Sequence, residues 1–163
     1  MSLRVEVGRL LRRPGQRRDV SGRYIVAELR LANAHVPDGA VDLDLEIEGV
    51  SGDELVMTGT AAATWQVECR RCLDPVLLPT TLELREVFIR DRVEGETYPL
   101  AADDTIDLEP VIREALILVV PVAPLCGPDC SGPEPERFPT GPADETDAGP
   151  DPRWAALDEL TFE

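Results

Sequence analysis

Lysine is absent from this 163-residue sequence: all sixteen of its basic residues are arginine, set against thirty-two acids for a formal charge of −16. A charge of that sign excludes a protein that coats nucleic acid with a uniformly basic surface. Histidine occurs once, at His35 beside the turn-like Pro37-Asp38-Gly39, where a loop position is expected. No catalytic constellation assembles around it. Aromatic residues make up 4% of the chain, so a core drawn from the 43% of hydrophobic residues must be aliphatic. The longest apolar run, Ala115 to Leu125, is 11 residues long and contains Pro121 and Pro124. A membrane helix needs about 20. No apolar segment follows the opening Met1-Ser2-Leu3-Arg4, so export is not expected and the cytoplasm is the expected compartment. Phosphate-cradling glycine loops and the Gly-x-Ser-x-Gly pattern are missing too. No small-molecule substrate and no enzyme are therefore expected.

What is present is unevenly distributed. Residues 1–30 hold eight arginines and three acids, a local charge of +5, while the remainder carries −21. This arginine-rich head is either a solvated surface segment or a phosphate-binding one. Its candidates for nucleic-acid contact are Arg9, Arg12, Arg13, Arg17 and Arg18. The guanidinium fork suits phosphate bidentately, and about four such contacts to a single strand predict a log–log salt slope of roughly −3. Tyr24 is the only nearby ring, so base stacking is expected to contribute little.

Strand periodicity dominates the first two thirds. Leu3, Val5 and Val7 alternate with polar residues before the turn-like Arg13-Pro14-Gly15. Val41, Leu43, Leu45 and Ile47 alternate with Asp42, Asp44, Glu46 and Glu48, which predicts one wet acidic face. Leu55, Met57, Ala61, Ala63, Trp65, Val67 and Cys69 share the apolar face of the next run, and the two runs predict an antiparallel hairpin. A further strand is expected after Pro79, ending near Ile89. One helix is predicted over about 108–119, capped by Asp107, with Pro110 in its first turn and Pro121 ending it. Leu108, Val111, Ile112, Ala115, Leu116 and Val119 would form its packed stripe. Between Gly127 and Pro152, 11 of 26 residues are Gly or Pro, too poor in large apolar side chains to order alone. Asp151-Pro152-Arg153-Trp154 then opens a short helix with Trp154, Leu157 and Leu160 on one face. The expected organisation is a β-rich domain over 1–126, a flexible Pro/Gly-rich acidic segment over 127–152 and a short C-terminal helix over 153–163. The fold class is α+β, a mostly antiparallel β-sheet with one packed helix.

All four cysteines fall in two tight pairs, Cys69-Arg70-Arg71-Cys72 and Cys126-Gly127-Pro128-Asp129-Cys130. Paired thiols in a protein of a reducing compartment point to metal or redox chemistry rather than disulfides. Four thiolates close a tetrahedral shell around Zn²⁺, each pair supplying two sulfurs from one turn. Arg70 and Arg71 would offset the charge of that shell. The same arginines would also activate a Cys-x-x-Cys redox pair, although Pro75 and further strand follow where such a pair normally opens a helix. Four ordinary small residues remain the third reading.

Taken in order, several motifs resemble a known family. They are Arg12-Arg13-Pro14-Gly15, Cys69-Arg70-Arg71-Cys72-Leu73-Asp74-Pro75, Asp107-Leu108-Glu109-Pro110, Pro124-Leu125-Cys126 through Asp129-Cys130, and Asp151-Pro152-Arg153-Trp154-Ala155-Ala156-Leu157. This set is similar to the YceD-type bacterial proteins named for large-subunit ribosomal RNA accumulation, in an actinobacterial-looking form. The resemblance implies a cytoplasmic, non-enzymatic part in ribosome biogenesis, with large-subunit ribosomal RNA or a basic ribosomal protein as partner. Members of the family commonly continue with further cysteines after the position of Cys130, where this chain reads Ser131-Gly132-Pro133-Glu134.

Overall fold

Wherever apolar and polar side chains alternate in the first ninety residues, the chain runs as a strand. The computed structural model describes residues 3–137. Its strands are β1 (Arg4–Glu6), β2 (Arg17–Ile25), β3 (Arg30–Leu31), β4 (Ala34–His35), β5 (Ala40–Gly49), β6 (Glu54–Glu68), β7 (Pro75–Ile89), β8 (Tyr98–Pro99) and β9 (Thr105–Asp107). The helices are α1 (Gly8–Leu11) and α2 (Glu109–Leu118). β2, β5, β6 and β7 form an antiparallel sheet in that spatial order. β4 takes over the edge of β6 past the end of β5, β3 pairs with β4, and β8 joins the end of β7 in parallel. β1 and β9 make a separate two-stranded ribbon. The expected α+β architecture and the β5–β6 hairpin are both present.

Period-two patterning assigns the two faces of the sheet. Val41, Leu43, Leu45 and Ile47 of β5 and Leu55, Met57, Ala61, Trp65 and Val67 of β6 are buried, together with Leu84 and Phe88 of β7. Leu3, Val5 and Val7 from the β1 end and Leu10 and Leu11 of α1 join the same core. So do Val111, Ile112 and Leu116 of α2. Each fully buried aliphatic side chain contributes about 1.5–3 kcal/mol by leaving water. The opposite face carries rows such as Arg17, Glu48, Val56 and Val87, then Asp19, Glu46, Thr58 and Arg85. Close approach of α1 to β5 depends on Gly49, where a Cβ would lie 2.3 Å from the Leu10 carbonyl oxygen.

Three expectations need correction. β7 begins at Pro75 and runs straight through Pro79. Ile89 turns its carbonyl toward Leu100, beside β8, and the register to β6 is unbroken, so odd-numbered residues of β7 face away from β6. Pro79 therefore lacks its N–H on the open edge, where no ladder bond is lost. Val119, expected in the helix stripe, is the C-terminal cap of α2 and is 42% exposed. His35 lies in a strand, β4, rather than a loop. The helix itself forms as anticipated: the Asp107 Oδ1 accepts the Glu109 N–H at 3.1 Å and Pro110 occupies the first turn. Its position is fixed by Glu109 and Arg113, which bind the Ala27 N–H at 3.2 Å and the Ala27 carbonyl at 2.9 Å.

The arginine-rich head is neither a tail nor a loop. It contains β1, α1, the whole of β2 and the first residue of β3, with α1 and the length of β2 not foreseen from the sequence. The compact unit runs through Cys130. Residues 127–137 form no strand or helix. The expected helix over 153–163 and the rest of the 127–152 segment lie outside the described residues.

Candidate metal centre and arginine cleft

The first cysteine pair is held by the turn that joins β6 to β7. The Cys69 N–H donates to the Asp74 carbonyl at 2.9 Å, and the Leu73 N–H returns to the Cys69 carbonyl at 3.0 Å. Leu73 adopts a left-handed φ of 64°, which folds the four residues back on themselves. The Arg71 N–H points at the Cys69 Sγ, 3.4 Å away. The second pair follows α2, in a turn closed by the Cys130 N–H on the Gly127 carbonyl at 3.3 Å. Two contacts lock the turns together. The Arg70 N–H donates to the Pro124 carbonyl at 2.9 Å, and the Arg71 guanidinium donates to the carbonyls of Cys130 at 3.1 Å and Pro128 at 3.4 Å.

As a result all four sulfurs lie within 4.8 Å of one another. Two of the contacts between the pairs are Cys69 to Cys130 at 3.7 Å and Cys72 to Cys126 at 3.8 Å. A regular tetrahedron with metal–sulfur bonds of about 2.3 Å has sulfur–sulfur edges of about 3.8 Å. The thiols thus have the number, chemistry and spacing of a closed four-thiolate metal site. Backbone N–H groups of Cys72 and Arg71 draw the Cys69 thiol down to about 6 against the effect of burial. Cys72 moves to about 12: the Asp74 N–H lowers it, but burial, the Cys69 sulfur, the Asp74 carboxyl and Cys130 outweigh that donor. Cys126 is raised as well, first by its contact with Cys130. The Cys69 thiolate is favoured while Cys72 and Cys126 hold their protons more firmly, an arrangement a bound cation relieves by taking the protons' place.

The five arginines singled out in the sequence, Arg9, Arg12, Arg13, Arg17 and Arg18, line one open cleft of about 1310 Å³. Helix α1 and the turn at Pro14 supply three of them and β2 the other two. Sequence reasoning missed the acids of this cleft, Glu6, Asp103 and Asp104. The last two come from the turn before β9, whose only signal in the sequence is the Asp103-Asp104 doublet. The Thr105 hydroxyl, donating to its carboxylate, keeps Asp103 below the usual carboxylate range.

An uncharacterized protein of Mycobacterium tuberculosis is 37% identical over 96% of this chain and 80% of its own length. A Mycobacterium leprae protein, also uncharacterized, is 37% identical over 56% of this chain and 45% of its own. The uncharacterized protein YlbN of Bacillus subtilis is 30% identical over 41% of each chain. No solved structure matches. The family model described as large ribosomal RNA subunit accumulation protein YceD matches residues 57–161, which include both cysteine pairs and α2. The chain belongs to the YceD family of large ribosomal RNA subunit accumulation proteins.

Proposed function

We propose that this chain is a non-enzymatic cytoplasmic factor in the accumulation of large-subunit ribosomal RNA, and that it contacts that RNA directly. The observation that carries the reading is the gathering of Arg9, Arg12, Arg13, Arg17 and Arg18 around one cleft of a protein whose remaining surface is acidic. The acidic body repels RNA elsewhere and so directs the backbone to the cleft. Cys69, Cys72, Cys126 and Cys130 hold Zn²⁺ in this reading, supported by the sulfur spacing and the all-thiolate donor set. The ion has a structural part: it joins the β6–β7 turn to the segment leaving α2 and supplies no reaction chemistry.

The decisive experiment compares precursor and mature large-subunit RNA in a deletion strain complemented by the natural chain or by one with all five arginines changed to Gln. Restoration by the first and failure of the second support direct contact. Equal restoration by both overturns it.

A second reading has its own observation. The uncovered face of the sheet presents Asp42, Asp44, Glu46 and Glu48 on one strand, and only Arg17 and Arg23 of β2 form ion pairs with them among the described residues. Such a face suits a basic ribosomal protein, for which the chain would act as an adaptor or chaperone. Recovery of basic ribosomal proteins with the tagged chain after nuclease digestion would support this adaptor role; their loss on digestion would count against it.

A further inference from the structure

We propose that the cleft takes RNA backbone phosphates on Arg9, Arg12 and Arg13, that Asp104 is an internal counter-anion which phosphate displaces from Arg12, and that Arg17 and Arg18 are struts. This division rests on the reading of the chain as an RNA-contacting factor. It follows from where each guanidinium is already engaged. Arg17 places one nitrogen 3.0 Å from Glu46 and the other 3.0 Å from Glu48, so its surroundings carry a net negative charge. A phosphate arriving there meets two carboxylates and one cation. Arg18 donates to the Glu6 carbonyl at 2.6 Å and joins β2 to the β1 ribbon. Among the described residues, Arg9 and Arg13 make no side-chain hydrogen bond or ion pair, and both are exposed on the cleft.

Arg12 stands between these two conditions. Its guanidinium lies 3.7 Å from Asp104, beyond a normal hydrogen bond, and Asp104 also holds Arg90 closely. Asp104 keeps a cation partner when Arg12 leaves, so the exchange strands no charge. Gly8 makes room for the pair: a Cβ there would come 2.8 Å from the Asp104 carboxylate and 3.2 Å from the Arg12 guanidinium. No aromatic residue is among the described residues that line the cleft, so recognition is of phosphate rather than of base.

The test is fluorescence anisotropy of the full chain with a roughly 20-nucleotide unstructured RNA at salt concentrations from about 50 to 200 mM. Three phosphate contacts predict a log–log slope of about −2, at about −0.7 per contact. Arg9→Gln with Arg13→Gln reduces the slope by about 1.4, while Arg17→Gln leaves it unchanged. Asp104→Asn tightens binding up to about fivefold, the worth of one exposed ion pair. Circular dichroism confirms that each variant folds; Arg9 and Arg13 are exposed, so their replacement leaves the core intact. A slope lost through Arg17→Gln and kept in the double variant overturns the division alone. No RNA binding by the natural chain overturns both the division and direct contact.

Discussion

Cys69 and Cys130 are 61 residues apart in the chain, yet their sulfurs approach to 3.7 Å. The five arginines of the cleft occupy only positions 9 to 18, yet Arg12, Arg17 and Arg18 face different partners while Arg9 and Arg13 have none among the described residues. The cysteine cluster is specified by tertiary convergence: a hairpin turn and the exit of a helix must meet. The cleft is specified locally and then edited by acids from elsewhere, Asp104 on one side and Glu46 and Glu48 on the other. The two also lie toward opposite ends of β6, since Arg17 aligns with Val56 while Cys69 follows Glu68. Thirteen residues of strand at about 3.3 Å each separate those rows by roughly 40 Å. Chain distance therefore says little about which site is fragile. What matters is whether the site itself supplies the link between its parts.

Breaking the cysteine cluster should have the largest effect. Cys72→Ser is expected to abolish stoichiometric zinc in elemental analysis and to lower Tm by about 10 °C or more, since metal binding at such sites is folding energy. RNA affinity at a temperature where the variant stays folded should be unchanged, which checks the independence of the two ends. Next comes Gly49→Ala, which drives a methyl into the Leu10 carbonyl and pushes α1 off β5. A cost of about 1–3 kcal/mol in urea unfolding is expected, with zinc content intact. Arg71→Ala removes the clamp on the carbonyls of Pro128 and Cys130, and metal affinity should fall about 10- to 100-fold in chelator competition. Arg70→Ala, whose link to Pro124 is through the backbone, should leave it nearly unchanged.

The smallest effect concerns Glu86, on the inner face of β7. Burial raises its carboxyl above the usual range, and Glu114 of α2, bonded to the Tyr98 hydroxyl at 2.9 Å, adds to the shift. The folded state then holds its proton more firmly than the unfolded chain. That contribution is fully present below the ordinary glutamate range and is lost as pH rises through the elevated folded value. Glu86→Gln should therefore raise stability at neutral pH slightly and flatten the pH dependence just above the ordinary glutamate range. An unchanged profile would remove Glu86 from the account.

Much of this architecture was legible because two-residue alternation is so regular in β5 and β6: every apolar position from Val41 to Ile47 is buried. The helix was readable from Asp107, Pro110 and the Val111–Ile112–Leu116 spacing. The cysteine pairs announced a site by their spacing, but nothing in the sequence shows that the two pairs meet; only the fold does that. Helix α1 escaped notice because four residues carry no period. The start of β7 is hidden in the sequence because proline breaks a ladder only when its nitrogen faces a neighbour, and the sequence does not say which edge is open. The arginines were identifiable as a charge cluster, whereas their division into engaged and free ones depends on acids contributed by β5 and by the turn before β9.

The bare margin of β7 carries one more consequence. Pro75 and Pro79 remove two donors along a row that would otherwise invite another strand to zip onto it. Growth of the sheet by copying itself is thereby discouraged. Along this margin, recognition then falls to side chains rather than to backbone pairing.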